Sequence, residues 1–221
     1  VSLLALTDVP QWYEFVFEQR PALFGQDMEL SDIRQGDYDL IIIADTNSYS
    51  QLPGIEEYIS EAGVPVLVFD HHVTNDSLGD VELIDTHAAA TAMIVLDFLN
   101  HNRWKVTHEI ACALFVGIAT DTGWFHFTNT GADVHRAVAW LIEQGVKPPE
   151  VHKKLFQNYS MERFRLMVAM LETLELHFDG RFAVQHLLKS DFSHTGGRYE
   201  DTEDFIDQCQ KIRSVEAAAL F

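Results

Sequence analysis

Apolar and polar positions alternate along the chain in blocks that predict strands and helices in turn. Continuous apolar runs of strand length occupy residues 40–44 and 66–69, and an aspartate follows each run. Such runs are typical of parallel strands that are buried on both faces. A further strand is predicted at residues 1–6, and helices are predicted at residues 10–18 and 55–62. Strands that alternate with helices indicate an α/β architecture, with a parallel sheet and flanking helices.

Helical periodicity dominates the middle of the chain and then gives way to a hairpin. Apolar residues recur at i, i+3, i+4 and i+7 from Ala92 and from Val134, and a third stripe runs from Phe164 to Leu174. Asp179-Gly180 then predicts a tight hairpin turn, followed by a helix at 203–212 and a strand at 215–220. We therefore predict a first domain at residues 1–157, a linker helix at 158–174 and a partial α/β domain at 175–221.

The composition narrows the classes of function. The chain has 34 acidic and 15 basic residues, a formal net charge of −19 with neutral histidines, and 47% hydrophobic residues, which excludes disorder as the dominant state. A charge of this sign repels long nucleic acids, so we expect no binding of long duplexes. Bound cations would reverse the local field, so a small phosphorylated substrate remains compatible with the charge.

Hydropathy, the number of cysteines and the two ends of the sequence lead to further expectations about the compartment and the extent of the protein. No apolar run approaches the length of a membrane span, and the first residues do not resemble a secretory leader. Two cysteines, Cys112 and Cys209, are too few for a disulfide scaffold or a thiolate metal site. We therefore expect a cytoplasmic protein without a membrane partner, with a homodimer left open. The start at Val1 and the apolar finish suggest that parts of the protein lie beyond both ends.

Three aspartates are predicted to lie where strands end. Asp45 and Asp70 directly follow the two apolar runs, and Asp121 follows a third apolar segment. In open parallel sheets the carboxyl ends of the strands face the ligand crevice. A role as helix N-cap stays open for two of these positions. The sequence Asp70-His71-His72 favours a metal site, because oxygen and nitrogen ligands suit manganese, iron, cobalt or zinc.

These segments resemble a known family, the DHH phosphoesterase superfamily. Its signature motif is matched by residues 68–75 (VFDHHVTN), its second motif by 44–47 (ADTN) and its fourth by 117–125 (GIATDTGWF), and residues 127–130 (FTNT) continue the fourth match. Residues 198–204 (RYEDTED) and 215–221 resemble the start of a DHHA1 domain. Within the superfamily the chain looks like the nanoRNase/pAp-phosphatase, or NrnA-like, type. The resemblance implies a parallel-sheet DHH domain followed by a partial DHHA1 substrate-binding domain.

The resemblance also implies a set of site residues. Two divalent ions are expected, usually manganese (Mn²⁺), with Mg²⁺ or Co²⁺ as alternatives. Asp45 would bridge the two ions, and His71 and Asp121 would each ligate one. His72 would face the scissile phosphate as a catalytic and substrate-binding residue, with Asp70 steadying the imidazoles from behind. A water activated by the two ions would then attack phosphorus in line.

Two further residues are weaker candidates for contact with substrate. His126 lies in the segment that follows Asp121. Thr91 is predicted at the start of a helix, where backbone N–H groups can receive a phosphate, although a simple cap is the alternative.

The expected function is hydrolysis of short oligoribonucleotides, with pAp as a further substrate. Cleavage of linear dinucleotides such as pApA, hydrolysis of pyrophosphate or polyphosphate, and a non-catalytic nucleotide-binding module stay open as alternatives. Two family elements do not occur in these 221 residues: the first motif, His-x-x-x-Asp-x-Asp, and the C-terminal Gly-Gly-Gly-His element. We interpret both differences as truncation.

Overall fold

Parallel strand pairing organises the first part of the chain in the computed structural model, which describes residues 1–61 and 63–221. The chain divides into two units, Val1–Leu155 and Phe156–Phe221. The strands of the first unit are β1 (Leu4–Ala5), β2 (Ala22–Leu23), β3 (Ile41–Ala44), β4 (Val66–Asp70) and β5 (Val81–Ile84). β1 pairs with β2, and a second sheet has the order β3-β4-β5; all these pairings are parallel. The predicted α/β class with a parallel sheet is confirmed.

Helices flank this sheet and build the larger core of the first unit. They are α1 (Leu30–Gln35), α2 (Glu56–Glu61), α3 (Thr91–His101), α4 (His108–Asp121), α5 (Ala132–Glu143) and α6 (Pro148–Phe156). α4 supplies the centre of the core, since Phe115 and Ile118 are completely buried there. A Cβ on Gly117 would lie 2.9 Å from the Cβ of Ala92, so α3 and α4 approach each other closely. Among the described residues, no helix combines the length and the apolar character needed to cross a bilayer.

The two predicted apolar strands differ in burial. β4 is buried as expected, and Val68 is completely inaccessible. For β3 the prediction of burial on both faces is wrong, because Ile43 is buried whereas Ile42 is 59% exposed. β3 lies at the edge of the described sheet and β4 at its centre. A continuous apolar run therefore identified both strands, but only position in the sheet decides how completely each is covered.

The second unit contains a mixed sheet beside a long helix. Its elements are α7 (Met161–Glu172), β6 (Glu175–His177), β7 (Phe182–Gln185), α8 (Lys189–Thr195), α9 (Asp207–Gln210) and β8 (Ala217–Leu220). β6 and β7 form the predicted hairpin, and β7 also pairs with β8 in parallel. The turn has positive φ angles at Phe178, Asp179 and Gly180. The Asp-Gly signal predicted this turn because aspartate and glycine tolerate such angles better than most residues.

The predicted bounds of several elements differ from those in the structure. The first strand covers only Leu4–Ala5, and the helix predicted at 10–18 is a 3₁₀ helix, Gln11–Val16. The helix predicted at 55–62 is α2, and Ala62 lies outside the described residues. The helix predicted at 203–212 is interrupted, because Asp204 adopts a left-handed conformation with φ 64°. Only α9 remains of it.

The buried face of α7 also differs from the predicted stripe. Phe164 and Val168 are 51% and 41% exposed, whereas Leu166 and Met170 are completely buried. The buried face starts at Arg163, which is 2% exposed, and continues at the i+3 and i+7 positions. The helix carries apolar residues on two adjacent stripes, and helical spacing does not choose between them.

Candidate active site

Asp45 stands at the carboxyl end of β3 in a strained backbone conformation. Its N–H donates to the carbonyl of Phe69 at 2.9 Å, which extends the ladder with β4 by one residue. The backbone then turns with φ 66°, a left-handed angle that few residues other than glycine, asparagine and aspartate adopt. The hydroxyl of Thr91 donates to Oδ1 of Asp45 at 2.7 Å. The side chain is 54% exposed, so its carboxylate remains accessible at the edge of the sheet.

Asp70 is the last residue of β4, and its side chain is completely buried. Oδ1 accepts the backbone N–H of His71 at 2.9 Å and Nδ1 of His72 at 2.7 Å. Oδ2 is buried without a hydrogen-bond partner among the described residues. The hydrogen bond to Asp70 is the largest cause of a raised pKa at His72; burial opposes it, and the charges of Asp70, Asp45 and Asp121 reinforce it. Asp70 therefore orients His72 and favours its charged form.

His71 is held in the tautomer that a metal ligand needs. Its Nδ1 lies 3.1 Å from the carbonyl oxygen of Ala88, which can only accept, so Nδ1 carries a proton and Nε2 is the atom that offers a lone pair when the ring is neutral. Nε2 lies 3.6 Å from Oδ1 of Asp45 and 3.6 Å from Oδ2 of Asp121. These separations exceed ordinary hydrogen-bond lengths. The three side chains therefore face a common space without being bonded to one another.

Asp121 reaches this space from a helix, so its predicted position at a strand end is wrong. It is the last residue of α4, whose apolar stretch is a buried helix. A short apolar run cannot be assigned to strand or helix by periodicity alone, which explains the error. Burial is the largest cause of a raised pKa at the Asp121 carboxyl; the charge of Asp45 adds to it, and His71 and His72 oppose it. The side chain of Asn129 donates to the Asp121 carbonyl at 3.1 Å.

The donor set fits a divalent metal ion. Asp45, His71 and His72 each offer one ligand atom, and these atoms lie within 4.8 Å of one another. Bonds of about 2.0–2.2 Å from an ion to nitrogen and oxygen place tetrahedral ligand atoms about 3.3–3.6 Å apart. The 3.6 Å separations of His71 from Asp45 and Asp121 agree with the upper end of this range. The structure thus brings together Asp45, His71, His72 and Asp121, and His72 lies within reach of an ion that Asp45 and His71 could hold.

Comparison with known proteins agrees with this arrangement. A family model described as "DHH family, N-terminal domain" matches residues 2–118, slightly more than half of the chain. The chain belongs to the DHH family. The matched segment includes Asp45, Asp70 and both histidines, and it ends three residues before Asp121.

Two relatives show which type of DHH protein this chain resembles. It is 38% identical over 162 residues to the bifunctional oligoribonuclease and PAP phosphatase NrnA of Thermus thermophilus, covering 72% of this chain and 47% of that one. It is 26% identical over 185 residues to the NrnA of Bacillus subtilis, covering 82% and 58%. The resemblance to the NrnA-like type is therefore confirmed. The chain spans about half the length of these curated relatives.

The fold of the DHH chain is also that of a solved structure. An exopolyphosphatase-related protein from Bacteroides fragilis superposes with a TM-score of 0.85 and 19% identity, covering 97% of this chain and 64% of that one. At this identity the likeness concerns the fold alone.

Of the two weaker candidates, Thr91 contacts a site residue, whereas His126 contacts only its own loop in the bonds and ring contacts described for it. Thr91 is the first residue of α3, is 6% exposed, and directs its hydroxyl to Asp45. His126 is exposed in the loop after α4, with Nδ1 against the carbonyl of Gly123 and its ring 4.5 Å from the ring of Phe127.

Sequence reasoning missed two groups that the DHH site uses. The carbonyl of Ala88 fixes the tautomer of His71, and Asn129 joins the end of α4 to the carbonyl of Ala89. A backbone carbonyl leaves no signal in a sequence. Asn129 did carry a signal, because it lies in the FTNT stretch that continues the fourth motif.

Proposed function

We propose that the chain forms the metal-binding part of a phosphoesterase that hydrolyses short oligoribonucleotides and pAp. The observation that carries the proposal is the convergence of Asp45, His71, His72 and Asp121 on one accessible space. Two relatives support the substrate class, since both are named as oligoribonuclease and PAP phosphatase.

Charge supports a metal-dependent reaction. Two carboxylates, those of Asp45 and Asp121, face the space, and the buried carboxylate of Asp70 lies behind His72. In a protein with a net charge of −19, a phosphate ester would be repelled by this field. Divalent ions bound there would reverse the local charge. Two ions, manganese in our proposal, would polarise the phosphoryl group and lower the pKa of an attacking water. The nitrogen ligand His71 favours manganese or cobalt over magnesium.

The residues of this chain would then divide the work. Asp45 would hold both ions, and His71 and Asp121 one each. The buried Asp70 fixes Nδ1 of His72 and favours the charged imidazolium, in which Nε2 also carries a proton and would donate to a phosphoryl oxygen as negative charge develops. This division retains the sequence prediction, although His72 also lies within reach of a metal.

We also propose that the end of the chain belongs to a DHHA1 substrate-binding domain. In this assignment residues 1–157 form the DHH domain, 158–174 contain a linker helix and 175–221 begin the second domain. The hairpin of β6 and β7, together with β8, supports an α/β region there.

The test compares substrates and metals in the 221-residue chain and in the complete reading frame. Di- to pentanucleotides, a 24-mer RNA, pAp, pApA and pyrophosphate are offered with Mn²⁺, Mg²⁺, Co²⁺ or excess EDTA. We expect the complete protein to prefer di- to pentanucleotides and pAp to the 24-mer, because the negative surface gives no attraction for long RNA. We expect the highest rates with Mn²⁺, because His71 supplies a nitrogen ligand. Undiminished activity in EDTA would contradict the metal mechanism. Faster cleavage of the 24-mer, or of pApA or pyrophosphate alone, would contradict the substrate class.

A further inference from the structure

A single tetrapeptide connects the three proposed metal ligands of the first unit. Residues 88–91 lead into α3, and we call them the brace segment. The Ala88 carbonyl faces Nδ1 of His71, the Ala89 carbonyl accepts the side chain of Asn129, and Thr91 donates to Asp45.

The brace segment is enclosed by the protein. Ala89 and Ala90 are 2% and 0% exposed, and Thr91 is 6% exposed. Helix α3, which continues from it, lies so close to α4 that only a glycine fits at position 117 opposite Ala92. The segment is therefore held against the same helix whose last residue is Asp121.

Thr91 acts on Asp45. Its hydroxyl donates to Oδ1 of Asp45 at 2.7 Å, the atom that also lies 3.6 Å from Nε2 of His71. Asp45 leaves β3 with a left-handed backbone and a half-exposed side chain, so its carboxylate needs a fixed donor to select one direction.

Asn129 acts on Asp121. One side-chain amide donates to two carbonyl oxygens, of Ala89 and of Asp121, each at 3.1 Å. This shared donor joins the end of α4 to the brace segment. It fixes the backbone of Asp121 relative to the segment that also touches His71.

We propose that Thr91 and Asn129 are positioning residues that preset the spacing of Asp45, His71 and Asp121 for a divalent ion. The carboxylates of Asp45 and Asp121 repel each other in the absence of a cation, so an unbraced pair would separate before an ion binds. Outer hydrogen-bond partners of metal ligands commonly change metal affinity about 10–100-fold when they are removed. This inference rests on the proposed metal-dependent function.

The test measures Mn²⁺ binding by calorimetry in the metal-free chain. Thr91→Val removes the hydroxyl and keeps the shape, Thr91→Ser restores the hydroxyl, and Asn129→Ala removes the shared donor. Thr173→Val and Asn102→Ala are controls away from the site. Thr173→Val deletes side-chain hydrogen bonds with the backbone of Met170 and His186, and Asn102→Ala deletes one to the carbonyl of Phe98. Thermal unfolding in EDTA checks that each variant is folded.

We expect Thr91→Val and Asn129→Ala to bind Mn²⁺ about 10–100-fold more weakly, whereas Thr91→Ser and both controls bind as wild type does. Unchanged affinity in Thr91→Val and Asn129→Ala would overturn the inference. If a folded Thr91→Ser, which keeps the donor, bound Mn²⁺ about 10–100-fold more weakly than wild type, the role of the hydroxyl would be refuted. This outcome does not depend on whether Thr91→Val is folded. A wild-type chain and complete protein that bind no Mn²⁺ would instead overturn the proposed function itself.

Discussion

The two units use buried polar side chains in different ways. In the first unit, the completely buried Asp70 binds His72, which is itself 48% exposed. In the second unit, the thiol of Cys209 donates to the buried Gln185, and the buried Arg163 donates to the carbonyl of Glu203 at 2.9 Å. The guanidinium of Arg163 also lies 3.9 Å from the centre of the Tyr159 ring.

This difference distinguishes a candidate functional site in the first unit from buried polar side chains that contribute to packing in the second unit. Asp70 orients a side chain at an accessible edge, whereas Gln185 binds a buried thiol and Arg163 binds a backbone carbonyl and an aromatic ring. Acidity alone does not distinguish the units, because burial raises the pKa of Glu203 and Asp204 as it raises that of Asp121. A cluster of several ligand side chains does distinguish them: among the described residues, the group of three candidate metal ligands lies in the first unit, whereas in the second unit His177 lies 3.3 Å from the carboxylate of Glu175 outside any such group.

The largest expected effect comes from two matched aspartates, one in each unit. Asp45 and Asp204 both adopt positive φ, 66° and 64°, an angle that asparagine also tolerates. We expect Asp45→Asn to lower hydrolysis of a dinucleotide about 10⁴-fold, because a metal contributes several kcal/mol and each 1.4 kcal/mol is tenfold in rate. Calorimetry should also show weakened Mn²⁺ binding, whereas Asp204→Asn should leave Mn²⁺ affinity unchanged. Equal losses of affinity in both variants would remove the distinction between the units.

A smaller loss of activity is expected when either of the two neighbouring histidines is replaced by alanine, and the two variants should lose it for different reasons. His71→Ala removes a nitrogen ligand, so Mn²⁺ affinity should fall and excess Mn²⁺ should restore part of the rate. His72→Ala should keep Mn²⁺ affinity close to that of wild type and lower kcat about 10²–10³-fold, as loss of one charge-stabilising donor does. Calorimetry and steady-state kinetics on the same preparations decide between the roles. Loss of Mn²⁺ binding in His72→Ala alone would reverse them.

The smallest effect on the site should come from the core of the second unit. Leu166 is completely buried against Phe205, so Leu166→Ala should lower the free energy of unfolding by roughly 3 kcal/mol. Its Mn²⁺ affinity should not change, because all four candidate ligands lie in the first unit. Denaturant unfolding and calorimetry provide the two measurements. A large fall in Mn²⁺ affinity in this folded variant would show that the second unit supports the metal site.

The sequence by itself determined the local features. Apolar runs predicted β3 and β4 because a strand of four or five residues is recorded in consecutive residues of the sequence. Asp179-Gly180 predicted the hairpin because the turn depends on the φ angles of those residues. The motifs around Asp45 and Asp70 likewise identified the family from residues that are adjacent in the chain.

Only the tertiary structure decided how the site is held together. It placed Asp121 on a helix instead of a strand, and it brought Thr91 to Asp45 across 46 positions and Asn129 to Ala89 across 40. It also exposed Ile42 at an edge of the described sheet. Such contacts depend on how whole helices and strands pack against one another. The sequence periods of strands and helices, two and 3.6 residues, indicate which face of an element is apolar, but not which element that face contacts.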